Sequence, residues 1–490
     1  MSNARAHASR SLLWSSIDTF SQTGFSIIAL VLLARLLSVE AIGIGSLAIM
    51  LVQLATMPFE LLFHDALIQR KELQKQHHST AFIAAVVGAI CGTAVLCLAA
   101  PWLAERYDKP QLTELLRVAA LAIPISAVSA IISALLRRNL AFAPLARRTL
   151  IGRLTGVGMG LLVAWLGGGA WALVMMYVAS IVLSTSVLMF DRSNLPGMHW
   201  SWRALRELLS YGAPNMLAQL LLLGNGRIFV VLAGFYLGDA GLGRLSLAFR
   251  LVEELRNTLS SAAAQLALPL LAKRAQQPQQ FAAVFSEATS FTACVLLPLY
   301  AGMAVTAPDF MTVVFGDKWA GAAPVMQWLA LGAVLVTLRQ YSSIAMNAMG
   351  KPGVNALINA AAFAFSVVLL TSGWVSNENM AAQVWVWRAL LLLLVSIAAT
   401  RLTVKLSMRA QLEPIVGPLV ASAAMFLGVV LVQHALPADY IGLSQLFVSV
   451  VLGICLYVLA LLTVSPQLVK RLAGFSRAAL MGHHYATEVK

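Results

Sequence analysis

The side chains that could do chemistry in this chain are polar and charged groups set inside long apolar runs. Asp18 and Gln22 lie in the first run, Asn215, Gln219, Asn225 and Arg227 in the seventh, Arg339 in the tenth and Arg388 in the twelfth. A charge at the centre of a bilayer costs roughly 2.5 to 3.5 kcal/mol, so such groups are expected to face a cavity or a partner. Asp18 and Gln22 are four apart, as are Asn215 and Gln219, so each pair shares one helix face. The two pairs sit at related places in the chain, which predicts that spans one and seven line a common polar space. The competing reading is interhelical hydrogen bonding worth about 1 kcal/mol or less.

Arg227 follows Gly224-Asn225-Gly226, whose glycines predict a weakened, kinked stretch presenting polar groups. It is the leading anion-contacting residue, with snorkelling to the membrane surface as the bland alternative. Arg339 and Arg388 have no carboxylate within a helical turn, and an uncompensated arginine calls for an anion. Arg250 with Glu254, and Glu253 with Arg256, read instead as a self-neutralising ladder along one helix. Asp18 is a candidate coupling site for a proton or a sodium ion.

The elements that must position these groups are membrane helices. The chain of 490 residues is 60% hydrophobic and 11% charged, whereas soluble domains carry roughly 25% charged residues. At about 20 apolar residues per span, fourteen helices are expected, the first a retained span starting near Leu12. The stretch Leu37 to Ala48 (LSVEAIGIGSLA) returns 200 residues later as Leu237 to Ala248 (LGDAGLGRLSLA), with five of twelve positions identical. That duplication predicts two homologous halves. The expected division is a six-helix lobe over 1–190, a cytoplasmic linker over 191–207, a second lobe over 208–400, two accessory helices within 401–464 and a cytoplasmic tail over 465–490.

The formal charge of +14 is a topology signal, because Lys and Arg accumulate in cytoplasmic loops. Alternating the loops from a cytoplasmic amino terminus puts most of the basic residues on one side and leaves both termini cytoplasmic. Small basic clusters between apolar runs form no continuous arm, which argues against a nucleic-acid partner. There is no P-loop, no His-Glu-x-x-His and no loop long enough for a soluble catalytic domain, so neither an enzyme nor a cofactor is expected. Cys91, Cys97, Cys294 and Cys455 fall inside apolar runs at spacings that suit neither zinc nor a disulfide framework.

Several short stretches then resemble a known family. They are Leu33 to Ser38 followed by Gly43, Ala66 to Lys71, Leu136 to Phe142, Tyr211-Gly212, Leu237 to Ala248, Phe315 to Trp319 and Gly350-Lys351-Pro352. In order and spacing the chain resembles the polysaccharide-transporter family of the multidrug/oligosaccharidyl-lipid/polysaccharide exporter superfamily, nearest the Wzx-type flippases of the colanic-acid-exporter kind. The family often has proline where Val39 stands, and it has no short signature that fixes individual cargo contacts. The resemblance implies an all-α integral membrane protein of two pseudo-symmetric six-helix lobes around a central cavity, with two carboxy-terminal helices. It also implies transport of undecaprenyl-diphosphate-linked oligosaccharide across a bacterial inner membrane by alternating access, with a polysaccharide polymerase and export machinery as partners. A drug/cation antiporter of the same superfamily would want net acid inside the membrane, and this chain has more unpaired arginine than acid. A membrane enzyme polymerising or ligating the same lipid-linked sugars would want a long outer loop, and every outer loop is short.

Overall fold

The computed structural model describes residues 24, 26–70, 72–190, 197–435 and 442–469, with side chains for all of these but 218, 221–223 and 261–266. Among them there is no strand. The helices are α1 (Ser26–Leu36), α2 (Val39–Gln69), α3 (Lys75–Arg106), α4 (Leu112–Ala120), α5 (Ala122–Arg138), α6 (Phe142–Trp165), α7 (Trp171–Met189) and α8 (Trp202–Ala233). There follow α9 (Asp239–Lys273), α10 (Pro278–Phe310), α11 (Ala323–Ala348), α12 (Pro352–Thr371), α13 (Glu378–Thr403), α14 (Met408–Ala435) and α15 (Leu443–Val464).

Ten described segments are long and apolar enough to cross a membrane, against the fourteen expected. Helices α6, α8 and α9 span 24, 32 and 35 residues but are not among the ten. They carry much of the charge that the sequence places inside the membrane, including Arg153, Arg227, Arg250 and Glu254. By packing, the chain forms two compact units: Met1–Leu247 with Val367–Ala381, and Ala248–Ser366 with Ala382–Lys490. The division falls inside α9, whereas the repeat boundary read from the sequence lies at 191–207.

In the first unit the two copies of the repeated stretch cross each other. A Cβ on Gly43 would run into the carbonyl of Asp239, and a Cβ on Gly243 into the carbonyl of Val39. Each glycine thus contacts the other copy's residue four positions before its own counterpart, a reciprocal two-fold contact that only a missing side chain allows. Around the crossing, Lys109 pairs with Asp239, Arg244 Nη1 bonds Glu378 Oε1 at 2.6 Å and the Tyr107 hydroxyl donates to the Val231 carbonyl at 3.0 Å. At the far end of α2, Arg138 Nη1 donates to the carbonyls of Leu67, Ile68 and Arg70 at 2.9, 3.1 and 2.5 Å. A cation there satisfies carbonyls that a helix end leaves without intrahelical partners.

Proline shapes several helices, because it removes the N–H that would bond the carbonyl four residues earlier. Four such carbonyls are taken up by side chains. For Pro124, Pro298, Pro308 and Pro418, the freed groups are those of Ala120, Cys294, Ala304 and Pro414. Thr93 Oγ1 reaches Ala120 at 3.3 Å, the Tyr457 hydroxyl reaches Cys294 at 2.8 Å, Gln327 Nε2 reaches Ala304 at 3.1 Å and Ser290 Oγ reaches Pro414 at 3.0 Å. Pro124 also explains why one expected span is two helices, α4 and α5, parted at Leu121. The helix is not unwound at Gly224–Arg227, since α8 is helical from Trp202 to Ala233. Glycine lowers helix propensity by about 1 kcal/mol, but unwinding in hydrocarbon would strip backbone groups of partners worth several. After α10 the chain widens into a π-helical turn over Met311–Phe315, turns at Gly316 with φ 102° and continues as the 3-10 turn Asp317–Ala322. Phe315 and Trp319 are fully buried there, which accounts for that stretch of the sequence.

The first turns of α8 are held by charge. Glu207 accepts from His77 Nε2 at 3.2 Å, from Arg70 and from Arg203 Nε at 3.1 Å. These partners, His77 foremost, hold its carboxyl down from the ordinary 4.5 to about 2.

Three outcomes are expected. Gly43→Ala and Gly243→Ala should each destabilise the fold by about 1 to 3 kcal/mol through forced backbone shifts, while Gly238→Ala, which meets nothing within 4 Å, should not; thermal unfolding in detergent measures this. Tyr457→Phe should lower stability by about 1 to 3 kcal/mol by leaving the Cys294 carbonyl unpaired, and an unchanged melting temperature would remove the proposed role of that hydroxyl. Because the Glu207 carboxyl is depressed, its stabilisation is complete above about pH 4.5 and is lost as pH falls towards 2. Glu207→Gln should flatten that part of the stability profile.

Candidate functional site

Within the first unit, five helices enclose a cavity of about 560 Å³. Helix α2 supplies Gln53, Thr56, Glu60 and His64, spaced three or four apart and so on one face. Ser126, Ser129 and Ser133 form a second polar stripe on α5. Helix α6 brings Arg148 and Arg153, α7 brings Tyr177 and Ser180, and α8 brings Arg227. With Arg137 at its edge the wall carries four arginines and one glutamate.

The contacts fix these groups in place. Arg227 Nε donates to Gln53 Oε1 at 2.7 Å, and Arg148 Nη1 donates to the hydroxyls of Ser129 and Ser133 at 2.5 and 2.7 Å. Glu60 accepts from Ser126 and interacts electrostatically with Arg227, Arg148 and His64. Arg227 therefore points into a polar pocket of its own unit rather than out to the membrane surface. The arrangement offers guanidinium donors and hydroxyls of both donor and acceptor character, set beside apolar side chains such as Met57, Leu61 and Ile181. That combination suits a hydroxylated, negatively charged guest and suits a greasy cation poorly.

The other expected residues fall into separate places. Asn215 Nδ2 donates to Asp65 Oδ2 at 2.8 Å, and Gln219 bonds the same carboxylate, whose other oxygen lies 2.8 Å from His64 Nδ1. The polar face of α8 is thus joined to α2 through Asp65. Asn225 is 4% exposed, and its side-chain oxygen has no hydrogen-bond partner among the described residues. Arg339 and Arg388 belong to the second unit, where both are buried. There Arg256 pairs with Glu253, and Arg250 has Glu254 as its electrostatic partner. Asp18 and Gln22 lie outside the described residues.

Sequence reasoning overlooked Glu60, His64, Arg148 and the α5 serines. The second span was expected to end at Phe63, which set Glu60 at its margin, whereas α2 continues to Gln69. The usable signal was the three-to-four spacing of Gln53, Thr56, Glu60 and His64, a polar stripe on an otherwise apolar helix.

Comparison with known proteins agrees with this architecture. The teichuronic acid biosynthesis protein TuaB of Bacillus subtilis (strain 168) is 24% identical over 93% of this chain and 95% of its own length. The succinoglycan biosynthesis transport protein ExoT of Rhizobium meliloti (strain 1021) is 24% identical over 96% of this chain and 95% of its own. Among solved structures, the lipid II flippase MurJ in an inward closed conformation superposes with a TM-score of 0.77 at 13% identity, covering 94% of this chain and all of that one. An inward-facing multidrug resistance MATE family transporter of the MOP superfamily gives 0.61 at 14% identity, over 81% of this chain and 99% of that one. These likenesses show a transporter fold of the MurJ and MATE kind. The family model described as polysaccharide biosynthesis protein matches residues 32–324, more than half of the sequence, and the chain belongs to that family.

Proposed function

We propose that this protein is a flippase that carries lipid-linked oligosaccharide, in the form of undecaprenyl-diphosphate-linked repeat units, across a bacterial inner membrane for polysaccharide assembly. The observation that carries the reading is the polar cavity of the first unit, with four arginines and one glutamate in its wall. Sugars and phosphates crossing bare hydrocarbon would leave many hydrogen-bonding groups unpaired and a charge unsolvated, whereas the isoprenoid tail is at ease there. A cavity lined by hydroxyls and arginines replaces water for the headgroup, while the tail stays in the surrounding lipid. Arg227 and Arg148 are the proposed phosphate contacts, with Gln53 and the serines of α5 as partners for sugar hydroxyls. Alternating exposure of such a pocket to the two leaflets moves the headgroup without chemistry, so the protein acts as a transporter and not as an enzyme. The distribution of basic residues among the loops supports cytoplasmic termini, and a polysaccharide polymerase would draw the reaction forward by consuming the product.

Deleting the gene and assaying lipid-linked repeat units leaflet by leaflet tests the activity. Intact units trapped on the cytoplasmic side are expected, and undiminished arrival on the periplasmic side would refute the proposal. Arg227→Gln should lower export about 10- to 100-fold, the loss of one charge-assisted contact of about 1.5 to 3 kcal/mol, with membrane insertion unchanged. Export at the wild-type rate in a well-inserted R227Q protein would remove Arg227 from the cargo site.

A further inference from the structure

We propose that the second unit holds a resident small inorganic anion, of chloride size, between Arg339 of α11 and Arg388 of α13. The two guanidinium groups are among the most enclosed charges described, at 8% and 6% residue exposure. Arg388 lies over the Trp385 ring, 4.2 Å from its centroid, and Trp385 packs edge-on against Phe249 at 4.9 Å. Arg339 Nη2 donates to Asn359 Oδ1 at 3.1 Å, and Asn359 is in turn oriented by its bond to the Asn355 carbonyl at 2.7 Å. These contacts leave Arg339 Nη1 and Arg388 Nε buried, with no acceptor among the described residues. The Tyr300 hydroxyl, fully buried, is in the same condition.

The charges around them do not balance. Arg388 interacts electrostatically with Arg339, Arg256 and Glu253, and Arg339 with Arg256, so among the described residues in these interactions three guanidinium groups face one carboxylate, Glu253, which is paired with Arg256. A guanidinium does not give up its proton in a protein, so a buried pair of like charges must gain a counter-ion from outside. The donors that remain decide its size. Arg339 commits one Nη2 N–H to Asn359, and both arginines are enclosed by packed side chains, which favours a small ion over a bulky diphosphate. One N–H from each arginine suits a monatomic acceptor. Such an ion would tie α11 to α13 and hold the second unit's core together whichever cargo the first unit takes.

The test is thermal unfolding of the purified full-length protein in sodium chloride against sodium gluconate at equal ionic strength, with sodium pyrophosphate as a third arm. An anion bound only by the folded state raises the melting temperature in a saturating way. Chloride and bromide should do so and gluconate should not. Arg388→Met should lose the chloride dependence. Because that variant removes a packed side chain and could fail to fold, Asn359→Asp supplies the missing charge from within, and it too should unfold at a temperature independent of chloride. Superimposable chloride and gluconate curves for the wild type would overturn the proposal. So would full chloride dependence in N359D, or stabilisation by pyrophosphate alone, which would return these arginines to the cargo's diphosphate.

Discussion

Inside hydrocarbon, a polar group without a partner costs several kcal/mol, and most of what is particular about this chain follows from that constraint. It governs the backbone first. Proline is tolerated at four places because Thr93, Tyr457, Gln327 and Ser290 each take up the carbonyl that the missing N–H would have bonded. It governs helix ends as well, where Arg138 covers three carbonyls at the close of α2. Tyr457 shows how one bond serves two purposes, since it repairs α10 and anchors α15 to it.

The same constraint separates the two sets of arginines. In the first unit Arg148 and Arg227 are tied to serines and Gln53 around a cavity large enough for a sugar or a phosphate group, with Glu60 as an internal counter-charge. Those partners hold the guanidinium groups in position around a cavity whose lining includes four arginines and one glutamate. In the second unit Arg339 and Arg388 are buried, Arg388 against the Trp385 ring, and neither lines the cavity of the first unit. Exposure to a cavity, and not the mere presence of an intramembrane arginine, distinguishes a transport site from a structural one.

Much of the fold was legible in the sequence because membrane helices advertise themselves by length and hydropathy. The repeated Leu37 and Leu237 stretches likewise pointed to a duplicated architecture, and the structure adds that their glycines touch reciprocally. Helix breaks were less legible. Pro124 parts α4 from α5, yet Gly224 and Gly226 do not interrupt α8, because the backbone hydrogen bonds of a buried helix outweigh local propensity. The candidate site was legible only in part. Arg227 announces itself as a lone charge in an apolar run, but whether an arginine faces a cavity depends on neighbours from distant helices, as Arg339 and Arg388 illustrate. Glu60 was hidden by a span boundary placed six residues short of where α2 ends.

The central claim is that the cavity of the first unit is wet and prefers negative charge. Replacing Cys91, Cys97, Cys294 and Cys455 and introducing Ser180→Cys on the cavity wall would let water-soluble thiol reagents report on it. A negatively charged methanethiosulfonate should label the new cysteine several-fold faster than a positively charged one of similar size, and inorganic pyrophosphate should slow it. Absence of labelling by either reagent, or faster reaction with the cation, would contradict the account.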